Sequence, residues 1–293
     1  AAPSLSPALA KVGLVTSATL ADINGDQKQE LVVACAWGNV VAFGFDKKKI
    51  SRLPDLMPAN HTGMWTYVGS FDFDNDGDQD LLCGNLGLNS CLSDHAMELW
   101  VGDFDANTTV DKILTRKVGD QFVPLMMKRE FMEQVPSLKK NNLKHEDFAS
   151  KSIEDLLPKG SRNKAVIHNA AYYASVVLIN KGKGQFEVKE LPHALQTSCL
   201  NAAVFLDVNK DGFKDIVPVG NRSVFAPQFG RLDGYCGDVF INEKGVDFGL
   251  LPSFQSGLDL RGDGRCASVV KTKNKTSFIV TFNNHVPKFY EQL

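Results

Sequence analysis

Asp72-Phe73-Asp74-Asn75-Asp76-Gly77-Asp78-Gln79-Asp80-Leu81-Leu82 sets five carboxylates in nine residues, around a central glycine and directly ahead of two leucines. Carboxylates this close repel one another, and holding them in one turn is costly without a cation. A hard divalent ion meets that need. Oxygens at every second position around a glycine suit calcium, which takes about 6–8 oxygen ligands. An EF-hand loop opens in the same way, but it runs for about 12 residues, closes on a bidentate Glu and lies between helices. Here an apolar run follows the ninth position, so the expectation is a strand, a metal loop and a second strand.

The pattern recurs. Asp22, Asn24, Asp26, Lys28 and Glu30 hold positions 1, 3, 5, 7 and 9 ahead of Leu31-Val32-Val33. Asp103, Asp105, Asn107, Thr109 and Asp111 do so ahead of Ile113-Leu114, and Asp207, Asn209, Asp211, Phe213 and Asp215 ahead of Ile216-Val217. Position 7 varies freely (Lys28, Asp78, Thr109, Phe213), as expected where only its backbone carbonyl meets the metal. With Asp72, Asp74, Asp76, Asp78 and Asp80, these residues are the candidate ligands of about four calcium ions. A fifth segment, Asp259-Leu260-Arg261-Gly262-Asp263, has Arg at the third position and Ala267 at the ninth. It reads as a relic of the repeat that binds no metal.

Recurrence of one strand–loop–strand unit points to an array or propeller. On these loops the units resemble FG-GAP/VCBS repeats, the calcium-loop repeats that build the β-propeller of integrin α-chains and many bacterial surface proteins. The order from Gly63 to Ser90 resembles most closely the large bacterial VCBS-repeat proteins related to the ASPIC/UnbV group, and Leu99–Leu114, Ala203–Asn221 and Gly257–Asn284 fit that family too. The resemblance implies an all-β propeller of FG-GAP/VCBS repeats of about seven blades, with a helical insertion. The units read here are about 14–60, 61–95, 96–190, 197–250 and 251–293. They are five blade-like units of a larger propeller, whose first strand then pairs with polypeptide outside this chain.

Composition agrees with a globular chain: 293 residues with 43% hydrophobic content suffice for a full core. No apolar run approaches the ~18 residues of a membrane-spanning helix. The first ten residues lack the basic and apolar regions of a signal peptide and read as the start of a mature chain or a linker. The net charge of −2 says little about partners, because 14 of the 34 acidic residues lie in the four loops. Four bound calcium ions would reverse its sign.

Between residues 128 and 160 the pattern changes. Phe131, Met132, Val135, Leu138, Phe148, Ile153, Leu156 and Leu157 recur at helical spacing among many charges, and Pro136 interrupts them. Two or three short helices are expected, as a lid on the propeller face or a partner-docking element. The hairpin Ala174–Asn180 and Gln185–Glu190 is expected to supply the outer strands of the third unit after this insertion. Gly84–Asn89 reads as a tight turn, since Gly and Asn suit left-handed positions, with ligand binding as the alternative.

Other chemistry is sparse. The six cysteines show no C-x-x-C pattern, which argues against zinc or redox sites. Cys35 and Cys83 read as buried thiols, and Cys199 with Cys236 or Cys83 with Cys91 are open as pairs. The histidines are scattered. Arg261-Gly262-Asp263 spells the tripeptide that integrins read, a short match inside the degenerate loop. No phosphate loop is present, and no basic–aromatic stripe points to nucleic acid. The reading is a calcium-binding propeller, extracellular, at the cell surface or in the periplasm, serving as a non-catalytic binding or scaffold module for a protein or glycan partner. The alternatives are a polysaccharide lyase or glycosidase on the same scaffold, and a structural subunit of an envelope assembly.

Overall fold

A chain that leaves an acidic turn into an apolar run folds back as an antiparallel strand, and each loop does this. In the computed structural model, which describes residues 7–46, 49–273 and 275–291, β1 (Leu14–Ala21) enters the loop at Asp22 and β2 (Glu30–Gly38) leaves it. β3 (Val40–Asp46) and β4 (Lys49–Arg52) extend the order to β1-β2-β3-β4, and short β5 (Gly63–Met64) pairs with the far end of β2. β6 (Tyr67–Phe71) and β7 (Asp80–Gly84) flank the loop at Asp72 in the same way.

The chain then leaves this sheet. Asp94–Tyr172 is a compact unit of its own, and residues up to Ser93 and from Tyr173 form the other. In the smaller unit β8 (Met97–Gly102) and β9 (Asp111–Val118) flank the loop at Asp103. With β10 (Gln121–Pro124) and β11 (Val166–Ala170) they make a sheet in the order β10-β9-β8-β11. Between β10 and β11 come α1 (Lys128–Gln134), a 3-10 turn (Pro136–Asn141), α2 (His145–Ala149), α3 (Ile153–Leu156) and α4 (Ser161–Lys164). Phe131, Val135, Leu138, Ile153 and Leu156 of these helices pack against Trp100, Phe104 and Ile113. Arg162 stacks over the Trp100 ring and pairs with Glu98 at 3.1 Å, while Trp100 donates its Nε1–H to the same carboxylate. The helices are therefore half of this unit's core.

β12 (Val176–Asn180) and β13 (Phe186–Glu190) correct the sequence expectation. They do not continue the sheet begun at β9. β12 pairs with β7, Val176 opposite Cys83, in the order β13-β12-β7-β6. Both β7 and β12 are buried at every residue, as suits two central strands, whereas β11, largely exposed, takes the edge beside β8. The third loop and its helices thus form an insertion within the second repeat.

β14 (Leu200–Leu206), β15 (Asp215–Gly220), β16 (Val239–Asn242) and β17 (Phe248–Leu251) form the next sheet, and β18 (Gly264–Lys271), β19 (Thr276–Phe282) and β20 (His285–Glu291) the last. Successive sheets of the larger unit pack face to face. Ser17 bonds the backbone of Val68, Phe71 stacks on Phe205 at 4.5 Å, and Val204, Val217 and Val219 bury against Phe278, Val280 and Phe282. Strand outweighs helix, 42% against 14%, so the chain is mainly β. A second correction concerns Asp259–Asp263. This segment precedes β18, whereas each acidic loop joins the first two strands of its sheet. In the last sheet that position falls between β18 and β19, so the segment is no relic of the loop.

Because each fully buried apolar side chain contributes roughly 1.5–3 kcal/mol, deleting 128–160 alone would remove more than the smaller unit's stability. Excising 94–172 with a short Gly/Ser linker should leave the larger unit folded, since β7 and β12 remain paired. Thermal melts by circular dichroism check this: a cooperative β-type transition is expected for the 94–172 excision. An unfolded product would contradict the two-unit description.

Candidate metal centres

The four loops share one backbone path. Positions 4 and 6 are left-handed in every copy: Gly25 and Gln27, Asn75 and Gly77, Ala106 and Thr108, Lys210 and Gly212. Gly accepts this conformation freely, but for Ala106 (φ 60°) and Thr108 (φ 69°) it costs roughly 1–2 kcal/mol each. Such strain persists only where something else holds the loop.

Side-chain oxygens hold it. The position-1 carboxylate accepts the position-6 amide in all four loops: Gln27 to Asp22 at 2.7 Å, Gly77 to Asp72 at 3.1 Å, Thr108 to Asp103 at 2.9 Å and Gly212 to Asp207 at 3.0 Å. The position-5 oxygen accepts the position-7 amide of Lys28, Asp78, Thr109 or Phe213 at 2.7–2.9 Å. The position-9 carboxylate accepts the position-2 amide, from Ile23 to Glu30, Phe73 to Asp80, Phe104 to Asp111 and Val208 to Asp215. All four position-9 residues are buried.

In two sheets the position-9 carboxylate does more. Asp80 also accepts the amide of Asn180 at 2.7 Å, and Asp215 that of Asn242 at 2.8 Å. The side-chain amide of Asn180 then donates to the carbonyl of Ile23 in the loop of the preceding sheet, and that of Asn242 to Phe73. Each buried Asn therefore ties one loop to the next sheet. Neither was among the sequence candidates. The signal was present as a second repeat, Ile179-Asn180-Lys181-Gly182 and Ile241-Asn242-Glu243-Lys244-Gly245, in which the glycine amide caps the Asn side chain.

Carboxylates converge most closely in two loops. Asp72, Asp74 and Asp80 present oxygens within 4.8 Å of one another, and so do Asp103, Asp105 and Asp111. Asp72 Oδ1, Asp74 Oδ1 and Asp105 Oδ1 are buried and meet no hydrogen-bond donor. A buried, unpartnered anionic oxygen is costly, and several facing one point fit a hard cation. The other two loops use Asn at position 3. There Asn24 bonds Glu30 at 3.1 Å, Asn209 bonds Asp211 at 2.9 Å, and Lys28 pairs with Asp26 at 3.1 Å. Positions 1, 3, 5 and 9 would hold calcium through side chains and position 7 through its carbonyl.

Burial, reinforced by the charges of Asp74 and Asp76, pushes the Asp80 carboxyl up to about 6 against the amides of Asn180 and Phe73. Burial likewise raises Glu30, Asp74, Asp111 and Asp215. Asp259 behaves differently: its carboxylate pairs with Lys288 at 3.0 Å and Arg261 at 3.3 Å, which hold it below the usual range. Asp263 is buried and accepts both the amide and hydroxyl of Ser223, so the aspartate of the Arg-Gly-Asp tripeptide is folded into the protein while Arg261 stays exposed. The Gly84–Asn89 turn serves the backbone: buried Asn85 accepts the amides of Met64 and Leu86. All six cysteines are free thiols, and among the described residues no helix is long and apolar enough to cross a membrane.

Residues 13–83, spanning the first two loops and β1 to β7, match the family model described as FG-GAP-like repeat. No curated protein matches the chain.

The raised carboxyls set a pH dependence. For Asp80 the folded value lies above the unfolded 3.8, so in metal-free protein its contribution is full below that value and is lost as pH rises through about 6. Calcium offsets the charge that appears. The gap in melting temperature between calcium-loaded and chelator-treated protein should widen by several degrees from pH 5 to pH 7. A gap independent of pH would contradict the assignment.

Proposed function

We propose that the chain is a calcium-binding β-propeller module, working where calcium is millimolar, outside the cell, on its surface or in the periplasm, and that it binds a protein or glycan partner without turning it over. The observation that carries this reading is the trio Asp72, Asp74 and Asp80, with two buried oxygens lacking any donor. The same hydrogen bonds recur in the loops at Asp22, Asp103 and Asp207, which supports about four sites. Calcium, when bound, supplies the charge that lets these carboxylates stay ionised together. The clustered acids are engaged in the loops, which favours binding over acid–base catalysis. We extend the family reading to the large bacterial VCBS-repeat proteins on the order Gly63–Ser90.

Propeller closure belongs to the same proposal. The first and last sheets of the larger unit carry exposed apolar side chains: Leu14 and Leu20 on β1, Val270 on β18 and Phe289 on β20. Equivalent faces between neighbouring sheets are buried. Further repeats of the same kind would cover them.

Isothermal titration of calcium into chelator-treated protein tests the reading. About four sites are expected, and saturation should stabilise the fold by roughly 2.7 kcal/mol per site at a hundredfold excess over the dissociation constant. Absence of binding, or preference for a transition metal, would overturn it.

A further inference from the structure

Three loops distant in sequence meet between the last two sheets of the larger unit, at the end away from the metal loops. β15 runs from the loop at Asp207–Asp215 to Gly220, so the segment after it, 221–238, opens roughly 20 Å from that loop. There it meets residues 261–263 ahead of β18 and the β19–β20 turn at Asn283–Asn284. Together they enclose a cavity of about 620 Å³, within the range of about 300–1,000 Å³ usual for ligand sites.

Its floor is a rigid polar network. Asn221, buried and in a left-handed conformation (φ 77°), accepts from the Ser198 hydroxyl at 2.8 Å and the Tyr235 amide at 3.0 Å. It donates to the carbonyls of Tyr235 at 2.8 Å and Gly262 at 3.2 Å. Asp263 takes two bonds from Ser223, and its carbonyl takes the Asn283 amide at 2.8 Å. The floor thus fixes all three loops and uses up its own polar groups in doing so.

The rim does not. Arg231 has no ion-pair partner among the described residues, and Arg261 engages Asp259 through Nε alone, leaving its terminal nitrogens for the cavity. Asp233, Asn283, Asn284 and His285 complete an exposed set of donors and acceptors. Two guanidinium forks suit a planar carboxylate. The Asp233 carboxylate disfavours a dianionic phosphate and, with the two amides, suits vicinal hydroxyls.

We propose that this cavity between the last two sheets, rimmed by Arg231, Arg261, Asp233 and the Asn283–Asn284 turn, binds a carboxylate-bearing saccharide of the uronic-acid class. The inference deepens the reading of the chain as a binding module and rests on it. Arg231 and Arg261 grip the carboxylate, and Asp233, Asn283 and Asn284 take the hydroxyls. Because the cavity lies at the far end of the strands from the metal loops, calcium enters only by keeping the fold.

The test is calorimetric titration of trigalacturonate, with neutral cellotriose in parallel, into the full calcium-loaded chain. The uronate should bind and cellotriose should not. Arg231→Ala and Arg261→Ala change exposed side chains and so keep the fold, which calcium-dependent melting verifies. Each should weaken uronate binding at least tenfold, about 1.4 kcal/mol. Lys273→Ala, at the opposite end of the last sheet, should leave the affinity unchanged. No uronate binding by folded, calcium-loaded protein would overturn the proposal while leaving the calcium reading intact. Equal binding of cellotriose, or uronate binding indifferent to both arginines, would also overturn it. Shortened products accumulating during the titration would confirm the site and refute the non-catalytic reading.

Discussion

The buried carboxylate at position 9 of each loop is the constraint on which the structure depends. Asp80 and Asp215 are fully enclosed, and each accepts one amide from its own loop and one from the third strand of its sheet. Such an oxygen cannot be solvated, so it must be bonded or neutralised. Bonding closes the loop and sets the strand register in the same step. Asn180 and Asn242 carry the effect outward, since their side-chain amides reach the loop of the preceding sheet. Loop geometry and sheet stacking are thus one network, and a metal held in the loops would bear on both.

That network explains where strain is tolerated. Ala106 and Thr108 occupy positions that glycine fills elsewhere, in a loop whose Asp105 oxygen is also buried without a donor. Backbone strain and an unpaired anion would both count against the loop as an ordinary turn. Both suit a loop completed by a cation. The opposite end of the sheets follows another logic. Around Asn221 and Asp263 the buried polar groups satisfy one another, and the exposed cations and amides are what the proposed saccharide would meet.

Much of this was legible in sequence because it is local. Oxygen spacing located the loops, the apolar runs after position 9 located β2, β7, β9 and β15, and helical spacing named the side chains that pack on Trp100. What escaped was pairing across long separations. Nothing near Val176 announces that β12 belongs beside Cys83, with the smaller unit's chain between them. The Arg-Gly-Asp tripeptide lines a cavity whose other walls come from residues 221–238 and 283–285, an assembly no single motif encodes. The two buried asparagines were visible as a repeat but carry no chemistry alone. Their role appears only when Ile23 and Phe73 are placed beside them.

Amide hydrogen exchange tests the central claim most directly. The amides of Phe73, Asn180, Val208 and Asn242 all donate to a position-9 carboxylate. They should exchange slowly even in chelator and slow further, together, as calcium is added. Exchange at all four as fast as at exposed loop amides, or calcium protection confined to the loops and absent at Asn180 and Asn242, would contradict the account.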